Sequence, residues 1–302
     1  MIMGSVAKIY FTRKITPESV VKLYDMLGKK LEGRVAVKVH SGEEGNQNYL
    51  HPEFWKPMVE HVGGRVVECN TAYGGQRNTT IKHLELLKKH GWNTYFDVDL
   101  MDAEGPDAEL PVSNGVHLDT DIVGKNFLNY DSMLVLSHFK GHPMGGFGGA
   151  LKQLSIGCAS TAGKVKIHSA GKYTQADDQE RVWNDLPEQD AFLESMAEAA
   201  DAVYRHFDNR IVFINDMKNL SVDCDCCAVA EDPCMADVGI LCGTDPVAID
   251  KACLDLVKAS NDPGKEHFLE RVNSRHGEHT VEEACRRGTG VMEYELIDID
   301  NM

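Results

Sequence analysis

The chain has 302 residues, with 31 lysines and arginines against 47 aspartates and glutamates, which gives a formal net charge of −16 at pH 7. Such an acidic surface repels phosphate backbones and anionic lipids, so we expect neither a nucleic acid nor a membrane as a partner. Because there is no apolar run of about 18 residues and no signal-peptide pattern, we expect a cytoplasmic protein, in which nine cysteines are more typical of buried thiols or metal ligands than of disulfides.

Short β-branched runs alternate with amphipathic helical patterns along the chain. In chain order, strands are predicted at 7–12, 34–40, 65–71, 94–100, 132–139, 210–216 and 237–243. Helices are predicted at 17–32, 51–62, 79–92, 187–207 and 245–260. Residues 108–119, with Asn-Gly at their centre, are interpreted as a hairpin, and the polar residues 160–185 as a long loop.

This alternation predicts an α/β fold with a mostly parallel sheet that is flanked by helices in Rossmann-like layers. We expect one domain over residues 1–302, with 208–302 as a candidate C-terminal lobe. Ligands of open α/β sheets bind beyond the carboxyl ends of the strands. Three polar or glycine-rich segments follow predicted strands and are expected on this rim, namely 39–48, 71–78 and 137–160.

The third of these segments reads SHFKGHPMGGFGGALKQLSIGCAS. It does not match a phosphate-binding loop of the Walker type, because Lys152 follows Leu151 and precedes Gln153. Leu151 also stands where a dinucleotide-binding pattern has its third glycine. The glycines let the backbone approach a ligand closely, and we expect four of them to contact a cofactor, namely Gly145, Gly146, Gly148 and Gly149.

The order of His142, the glycine-rich loop, Lys152 and His168 resembles the N-terminal domain of the nickel-pincer lactate racemase family. That resemblance implies that Lys152 carries a covalently attached nickel-pincer nucleotide, that His168 ligates nickel and that His142 moves a proton. An imidazole is a suitable nickel ligand, and a desolvated lysine amine is a nucleophile. Gln76 stands where that family has a second catalytic histidine, so a symmetric two-histidine mechanism is not expected.

A second resemblance covers nearly the whole chain. It is carried by VHSGEEGNQNYLHPE, ECNTAYGGQRNTTIKHLE, the glycine-rich segment, SVDCDC and DVGILCGTDPVAIDKACLDLV. These blocks are similar to the family of uncharacterized Fe–S center proteins, which is built on domain of unknown function 362. The resemblance implies an iron–sulfur cluster. Many members add a ferredoxin module with repeated CxxCxxCxxxCP, which is not found in this sequence.

The segment DCDCCAVAEDPC places four cysteines close together, and they are candidate ligands of zinc or of an iron–sulfur cluster: Cys224, Cys226, Cys227 and Cys234. The alternative is a loop of unligated thiols, since CxCC is not the usual hairpin spacing. Arg77 is a candidate cofactor-binding residue, because its guanidinium can bind a carboxylate or phosphate. His40 is interpreted as a capping or packing residue, with a place facing the site as the alternative, and Lys164 is interpreted as a solvated residue.

These residues support two hypotheses and leave open whether the protein is an enzyme. The first is a metal- or metallo-cofactor-dependent protein that acts on a small carboxylate or hydroxy compound, with His142 and Lys152 as catalytic residues and His168 as a ligand. The second is an iron–sulfur redox or electron-transfer protein with a redox partner. A zinc-stabilised or metal-free binding protein is a third option, so the candidate cofactors are an iron–sulfur cluster, a nickel-pincer-like group and zinc.

Overall fold

A computed structural model describes residues 6–302 of the chain. Its strands are β1 (Ala7–Thr12), β2 (Val35–Lys38), β3 (Arg65–Glu68), β4 (Asp99–Leu100), β5 (Ala108–Pro111), β6 (Thr120–Val123), β7 (Ser132–His138), β8 (Lys140–His142), β9 (Gly146–Gly148), β10 (Ile211–Asp216), β11 (Ile240–Gly243) and β12 (Tyr294–Asp298). Its α-helices are α1 (Pro17–Leu27), α2 (Pro52–Val62), α3 (Thr80–Lys89), α4 (Trp92–Tyr95), α5 (Ala150–Cys158), α6 (Thr161–His168), α7 (Gln179–Asn184), α8 (Gln189–Phe207), α9 (Pro246–Ala259), α10 (Lys265–Ser274) and α11 (Glu278–Arg286).

The central feature is an eight-stranded sheet in the order β12-β1-β11-β10-β7-β2-β3-β4. Its pairs are parallel except for those that β11 makes with β1 and β10. Apolar clusters pack on both faces of the sheet, and the central strands β2, β7 and β10 are buried along their whole length. A strand covered by helices on both faces carries a continuous apolar run rather than an alternating one. The predicted α/β fold with a mostly parallel sheet is confirmed.

The strands β2, β3, β7 and β10 run parallel to one another, so the segments that follow them leave the same edge of the sheet. Residues 208–302 contribute β10, β11 and β12 to this sheet. Two small hairpins, β5–β6 and β8–β9, stand outside it. None of the helices within residues 6–302 is long and apolar enough to cross a membrane.

The structure differs from the sequence prediction in three connecting regions. Residues 160–185 were predicted as a loop but contain α6 and α7. In α6 every residue from Gly163 to His168 is buried, including two lysines, so the sequence lacks the one-sided apolar pattern that indicates a surface helix. In the predicted strand 94–100, the first two residues end α4, the last two form β4, and 96–98 belong to neither. The hairpin at 108–119 extends to Val123 because its second strand is β6.

Candidate active-site cleft

A small cleft with a volume of about 60 Å³ lies at the edge of the sheet where β2, β3 and β7 end. It is bordered by the segments after β2 and β3, by β8, by α5 and α6, and by the cysteine-containing loop. Its lining residues are Lys38, His40, Glu68, Cys69, Thr71, Ala72, Tyr73, Arg77, His142, Lys152, Gln153, Ile156, Gly157, Lys164, His168 and Cys226. The structure therefore brings His142, Lys152, His168 and Arg77 to one place, although they are far apart in sequence.

Helix α5 sets the position of Lys152, and a buried carboxylate on α9 fixes where α5 begins. Asp250 accepts hydrogen bonds from the backbone N–H groups of Ala150 and Leu151, at 2.7 and 2.9 Å. It also accepts one from the Asn215 side chain at 2.7 Å. Asp250 thus takes the place of a side-chain cap, which Gly149 lacks. Burial raises the pKa of Asp250 to about 6, so the carboxylate that these donors require is the main form at pH 7.

The predicted cofactor-binding glycines do not line the cleft. Gly146 lies in β9 with φ +78, and a Cβ there would stand 2.8 Å from Gly277 Cα. A Cβ on Gly149 would stand 2.3 Å from the Asp250 carboxylate. The space around Gly145 and Gly148 is filled by protein atoms as well. These glycines allow backbone segments to pack closely, and the amides that begin α5 are already bonded to Asp250.

Two lysines give the cleft its free positive charge. Lys152 is half-buried, and Lys164 is 5% exposed and donates a hydrogen bond to the Ala159 carbonyl. Neither forms an ion pair with any carboxylate of the described chain. The interpretation of Lys164 as a solvated side chain is wrong, because α6 packs as a buried helix and directs this side chain to the cleft. Two unpaired cations in an enclosed space attract an anion.

Arg77 lines the cleft, but its donors are largely bound within the protein. Its Nε lies 3.3 Å from Glu43 Oε2, its Nη2 donates to Tyr73 Oη at 2.5 Å, and its Nη1 lies 3.7 Å from Glu68 Oε1. Burial opposes the charge of Arg77, but Tyr73 and the two glutamates raise its pKa above the usual value. Since two carboxylates offset this guanidinium, it contributes less than the lysines to binding an anion.

The hydrogen bonds of His142 fix which ring nitrogen carries its proton. Its Nδ1 accepts from the backbone N–H groups of Gly145 at 2.8 Å and Met144 at 3.2 Å. The proton of the neutral ring is therefore assigned to Nε2, which lies 3.8 Å from Cys226 Sγ. Burial, and next the charge of Lys152, lower the pKa of His142 to about 4. His142 thus presents an N–H to the cleft, not a lone pair.

His168 has the opposite tautomer. Its Nδ1 donates to the Lys164 carbonyl at 2.7 Å, one helical turn earlier in α6. Its ring lies between Trp183 and Phe192, with both centroid distances at 5.2 Å. Burial lowers the pKa of His168 to about 4, so the ring is neutral at pH 7. Its Nε2 has no hydrogen-bond partner among residues 6–302 and carries a free lone pair.

The cysteine loop adjoins the cleft beside His142. The side-chain ligand atoms of His142, Cys224 and Cys226 all lie within 4.8 Å of one another. Burial raises the pKa of Cys224, but Lys152 and Lys140 contribute to a net lowering. The Cys224 thiol lowers the pKa of Cys226, but Cys227 and burial outweigh this and raise it to about 11. Cys234 lies outside this group, and its thiol donates to the Leu220 carbonyl at 3.2 Å.

Asp225, between the two cysteines of the CDC motif, anchors the loop. Its carboxylate lies 2.9 Å from His138 Nδ1 and 3.1 Å from Lys140 Nζ, and its backbone carbonyl accepts from the Glu43 N–H at 2.8 Å. His138 Nε2 also lies 2.6 Å from the Lys218 carbonyl. Both ring nitrogens of His138 face acceptor oxygens. The side chains of β7 and β8 therefore hold the cysteine loop against the cleft.

Sequence reasoning missed several residues of the cleft wall. His40 was interpreted as a capping residue, and its Nδ1 does accept the Gly42 N–H at 3.1 Å, but the ring also lines the cleft. Tyr73 and Glu68 line it too, and nothing in the sequence alone singled them out. The signal available for all three was their place at or directly beyond the ends of β2 and β3.

Comparisons with known proteins give one family and two distant structures. The model of the family described as a domain of unknown function, DUF362, matches residues 35–255. None of the curated proteins matches the chain. Among solved structures, the chain is similar to a protein from Thermotoga maritima, with 14% identity, a TM-score of 0.43, and coverage of 89% of this chain and 58% of that one.

It is also similar to the lactate racemase apoprotein from Thermoanaerobacterium thermosaccharolyticum, with 14% identity and a TM-score of 0.41. This likeness covers 68% of this chain and 50% of that one. The chain therefore spans between 50% and 58% of the lengths of these two proteins. Likenesses this distant carry no conclusion about its activity.

Proposed function

The chain belongs to the DUF362 family, and we propose that it is an enzyme that depends on a metal or metal-organic cofactor and acts on a small carboxylate or hydroxy compound. In this proposal Lys152 and His168 hold the cofactor, and His142 exchanges a proton with the substrate. Lys164 helps to bind the anionic group. The arrangement of the two cleft histidines carries the proposal.

His168 has the hydrogen-bonding pattern of a metal ligand. Histidines that bind metals usually donate the N–H of the other ring nitrogen to a carbonyl or carboxylate, which fixes the tautomer and directs the lone pair. The bond from Nδ1 to the Lys164 carbonyl does this, and the neutral ring needs no deprotonation before it binds. Imidazole suits nickel, zinc, iron and copper, so His168 fits a metal-organic group that brings further ligands of its own.

Lys152 is suited to attach such a group. It is half-buried in the cleft wall, and no carboxylate of residues 6–302 forms an ion pair with it. A lysine amine in its neutral form can bond covalently to an electrophilic cofactor. With Lys164 nearby, the cleft favours a phosphate- or carboxylate-bearing molecule. A bound metal would supply a Lewis acid there.

His142 is suited to proton exchange and not to metal binding. Its Nδ1 is occupied by two backbone N–H groups, so a metal at Nε2 would have to displace the only proton of the neutral ring. The same Nε2–H can donate to an oxygen of a substrate, and the ring can return the proton afterwards. Because His168 offers a lone pair and His142 an N–H, one cleft presents both a ligand and a proton donor.

The iron–sulfur alternative is not proposed. Clusters of this kind are usually held by four cysteine thiolates. Within the described residues, the only metal-sized grouping contains two thiols and His142, and it includes neither Cys227 nor Cys234.

The test is metal and mass analysis of protein purified without air. We expect bound metal and a covalent adduct on the peptide that contains Lys152. Lys152→Ala should lose the adduct and most of the metal, and His168→Ala should lose metal but keep the adduct. Lys82→Ala, at an exposed position on α3, is the matched control and should retain both. Unchanged metal and adduct content in Lys152→Ala would contradict the proposal.

A further inference from the structure

The loop from Cys224 to Cys227 brings three thiols into one tight turn. The Cys227 N–H donates to the Cys224 carbonyl at 2.9 Å, which closes a four-residue turn. Inside the turn, the Cys226 N–H points to Cys224 Sγ at 3.4 Å. The sulfur atoms of Cys224 and Cys226 lie within 4.8 Å of each other. These two thiols, which belong to residues separated only by Asp225 in the sequence, are therefore also close in the folded protein.

The turn is held in place from both sides. Asn46 Nδ2 donates to the carbonyls of Cys227 at 2.9 Å and Cys224 at 3.3 Å. On the other side, the Asp225 carboxylate is bound by His138 and Lys140. These contacts fix the backbone that carries the thiols. Bringing the two sulfurs together therefore does not require a flexible loop to become ordered.

The third member of the grouping does not complete a metal site. His142 accepts backbone hydrogen bonds at Nδ1, so its Nε2, the atom nearest Cys226, carries a proton. The thiols of Cys224 and Cys226 face this N–H, so the grouping offers a metal ion two sulfur ligands and no third ligand. Such a pair is suited to dithiol–disulfide chemistry. Cys226 lines the cleft and is half-buried, whereas Cys224 is fully buried, so a reagent reaches Cys226 first.

We propose that Cys224 and Cys226 form a reversible disulfide by exchange with low-molecular-weight disulfides, an activity separate from the cofactor chemistry of the cleft. Cys226 is the more exposed of the two thiols, and because its pKa is raised to about 11 only a small fraction of it is thiolate at pH 7, so this first step is slow. The thiolate attacks one sulfur of the disulfide, forms a mixed disulfide and releases one thiol. Cys224 then attacks the Cys226 sulfur and releases the second thiol. Two protein thiols are oxidised, one small disulfide is reduced, and the two protons end on the two released thiols.

The distances along the chain allow this bond. Residues two apart are separated by at most about 7 Å between Cα atoms, and disulfides span about 4–7 Å. The two sulfurs would close from a separation within 4.8 Å to the length of an S–S bond. Because Cys226 Sγ lies 3.8 Å from His142 Nε2, the redox state of this pair would alter the cleft wall beside the proposed proton donor.

The test is oxidation of the reduced protein with glutathione disulfide, followed by alkylation of the remaining thiols and mass mapping. We expect Cys224 and Cys226 to be unalkylated and Cys227 to be alkylated, and dithiothreitol should restore both sites. Cys224→Ser should instead accumulate a single mixed disulfide on Cys226, because the resolving thiol is gone. Cys226→Ser should form neither product.

Two variants serve as controls. Cys227→Ser and Cys285→Ser should both form the disulfide like the unchanged protein, and circular dichroism should show that all variants are folded. Full alkylation of Cys224 and Cys226 after oxidation would overturn the proposal, and so would loss of the disulfide in Cys227→Ser with retention in Cys226→Ser. The mapping of the unchanged protein decides the question even if a variant does not fold.

Discussion

The hydrogen bonds made by Nδ1 decide the chemistry of the two cleft histidines, His142 and His168. Both rings are buried and have a pKa of about 4, with burial as the main cause. They differ in the partner of Nδ1, which is a pair of backbone donors for His142 and a backbone acceptor for His168. Sequence spacing pointed to both histidines, but it carries no information about the tautomer.

The role of His142 Nδ1 as an acceptor leads to a stability prediction. In His142→Leu the N–H groups of Met144 and Gly145 lose their acceptor in a buried place, which should cost about 1–3 kcal/mol of unfolding free energy. In His142→Asn the side-chain carbonyl can accept in the same local pattern, so the loss should be smaller. Urea denaturation measures both variants. Equal losses would contradict the tautomer assigned to His142.

At the scale of the secondary-structure elements, helix α5 depends on a distant carboxylate, that of Asp250. Asp250→Ala removes the acceptor of two helix-start N–H groups and of Asn215, so we expect a loss of about 2–4 kcal/mol. Because Lys152 lies in the first turn of α5, its position should loosen, and retention of the proposed cofactor should fall. Denaturation and the adduct mass on Lys152 measure the two effects.

A second capping aspartate provides the control for this prediction. Asp245 accepts from Val247 N at 3.0 Å and Ala248 N at 2.9 Å at the start of α9, and it does not line the cleft. Asp245→Ala should therefore lower stability and leave the cofactor content unchanged. If both variants lost cofactor equally, the loss would follow from general destabilisation and not from the position of Lys152.

The secondary-structure elements around the cleft differ in how well the sequence could predict them. The parallel sheet and the rim after β2, β3 and β7 follow from periodicity, since buried strands and amphipathic helices leave local patterns. Helix α6 does not, because its buried face includes Lys164 and Lys166, and the partners of Lys166 are Asp119 and Thr120, far from it in sequence. For the same reason the Asp250 bond to α5 was not predicted, since it joins residues 100 apart.

At the scale of the whole molecule, the charge of the chain and the charge of the cleft have opposite signs. The sum over the sequence is −16, yet Lys152 and Lys164, which form no ion pair within the described residues, line the same cleft. A net charge describes the average surface, and it does not show where cations are left without partners. That the chain binds no large polyanion stays a prediction from composition, and the two cleft lysines are compatible with a small anion.

Buried carboxyls and histidines together set the pH dependence of stability. Burial raises the pKa of Asp121 to about 7 and of Asp216 to about 8, and the oxygens of both lack hydrogen-bond partners within residues 6–302. A raised carboxyl pKa means that the folded state holds a proton that the unfolded state has released. Stability from these groups is therefore lost as pH rises from about 4 towards 8. The buried histidines, with pKa values lowered mainly by burial, act in the opposite sense: His40, His83, His142 and His168.

These two effects place the maximum of stability near pH 6.5. Below it the unfolded histidines bind protons that the folded ones do not, so stability falls with pH. Above it the effect of the carboxyls exceeds that of the histidines, and Asp216 alone should cost about 2 kcal/mol between pH 6.5 and 8. Asp216→Asn imitates the protonated acid and should remove most of that decline, which denaturation curves at pH 6.5, 7 and 8 would show. If the unchanged protein were more stable at pH 8 than at pH 6.5, Asp216 would not hold its proton in the fold.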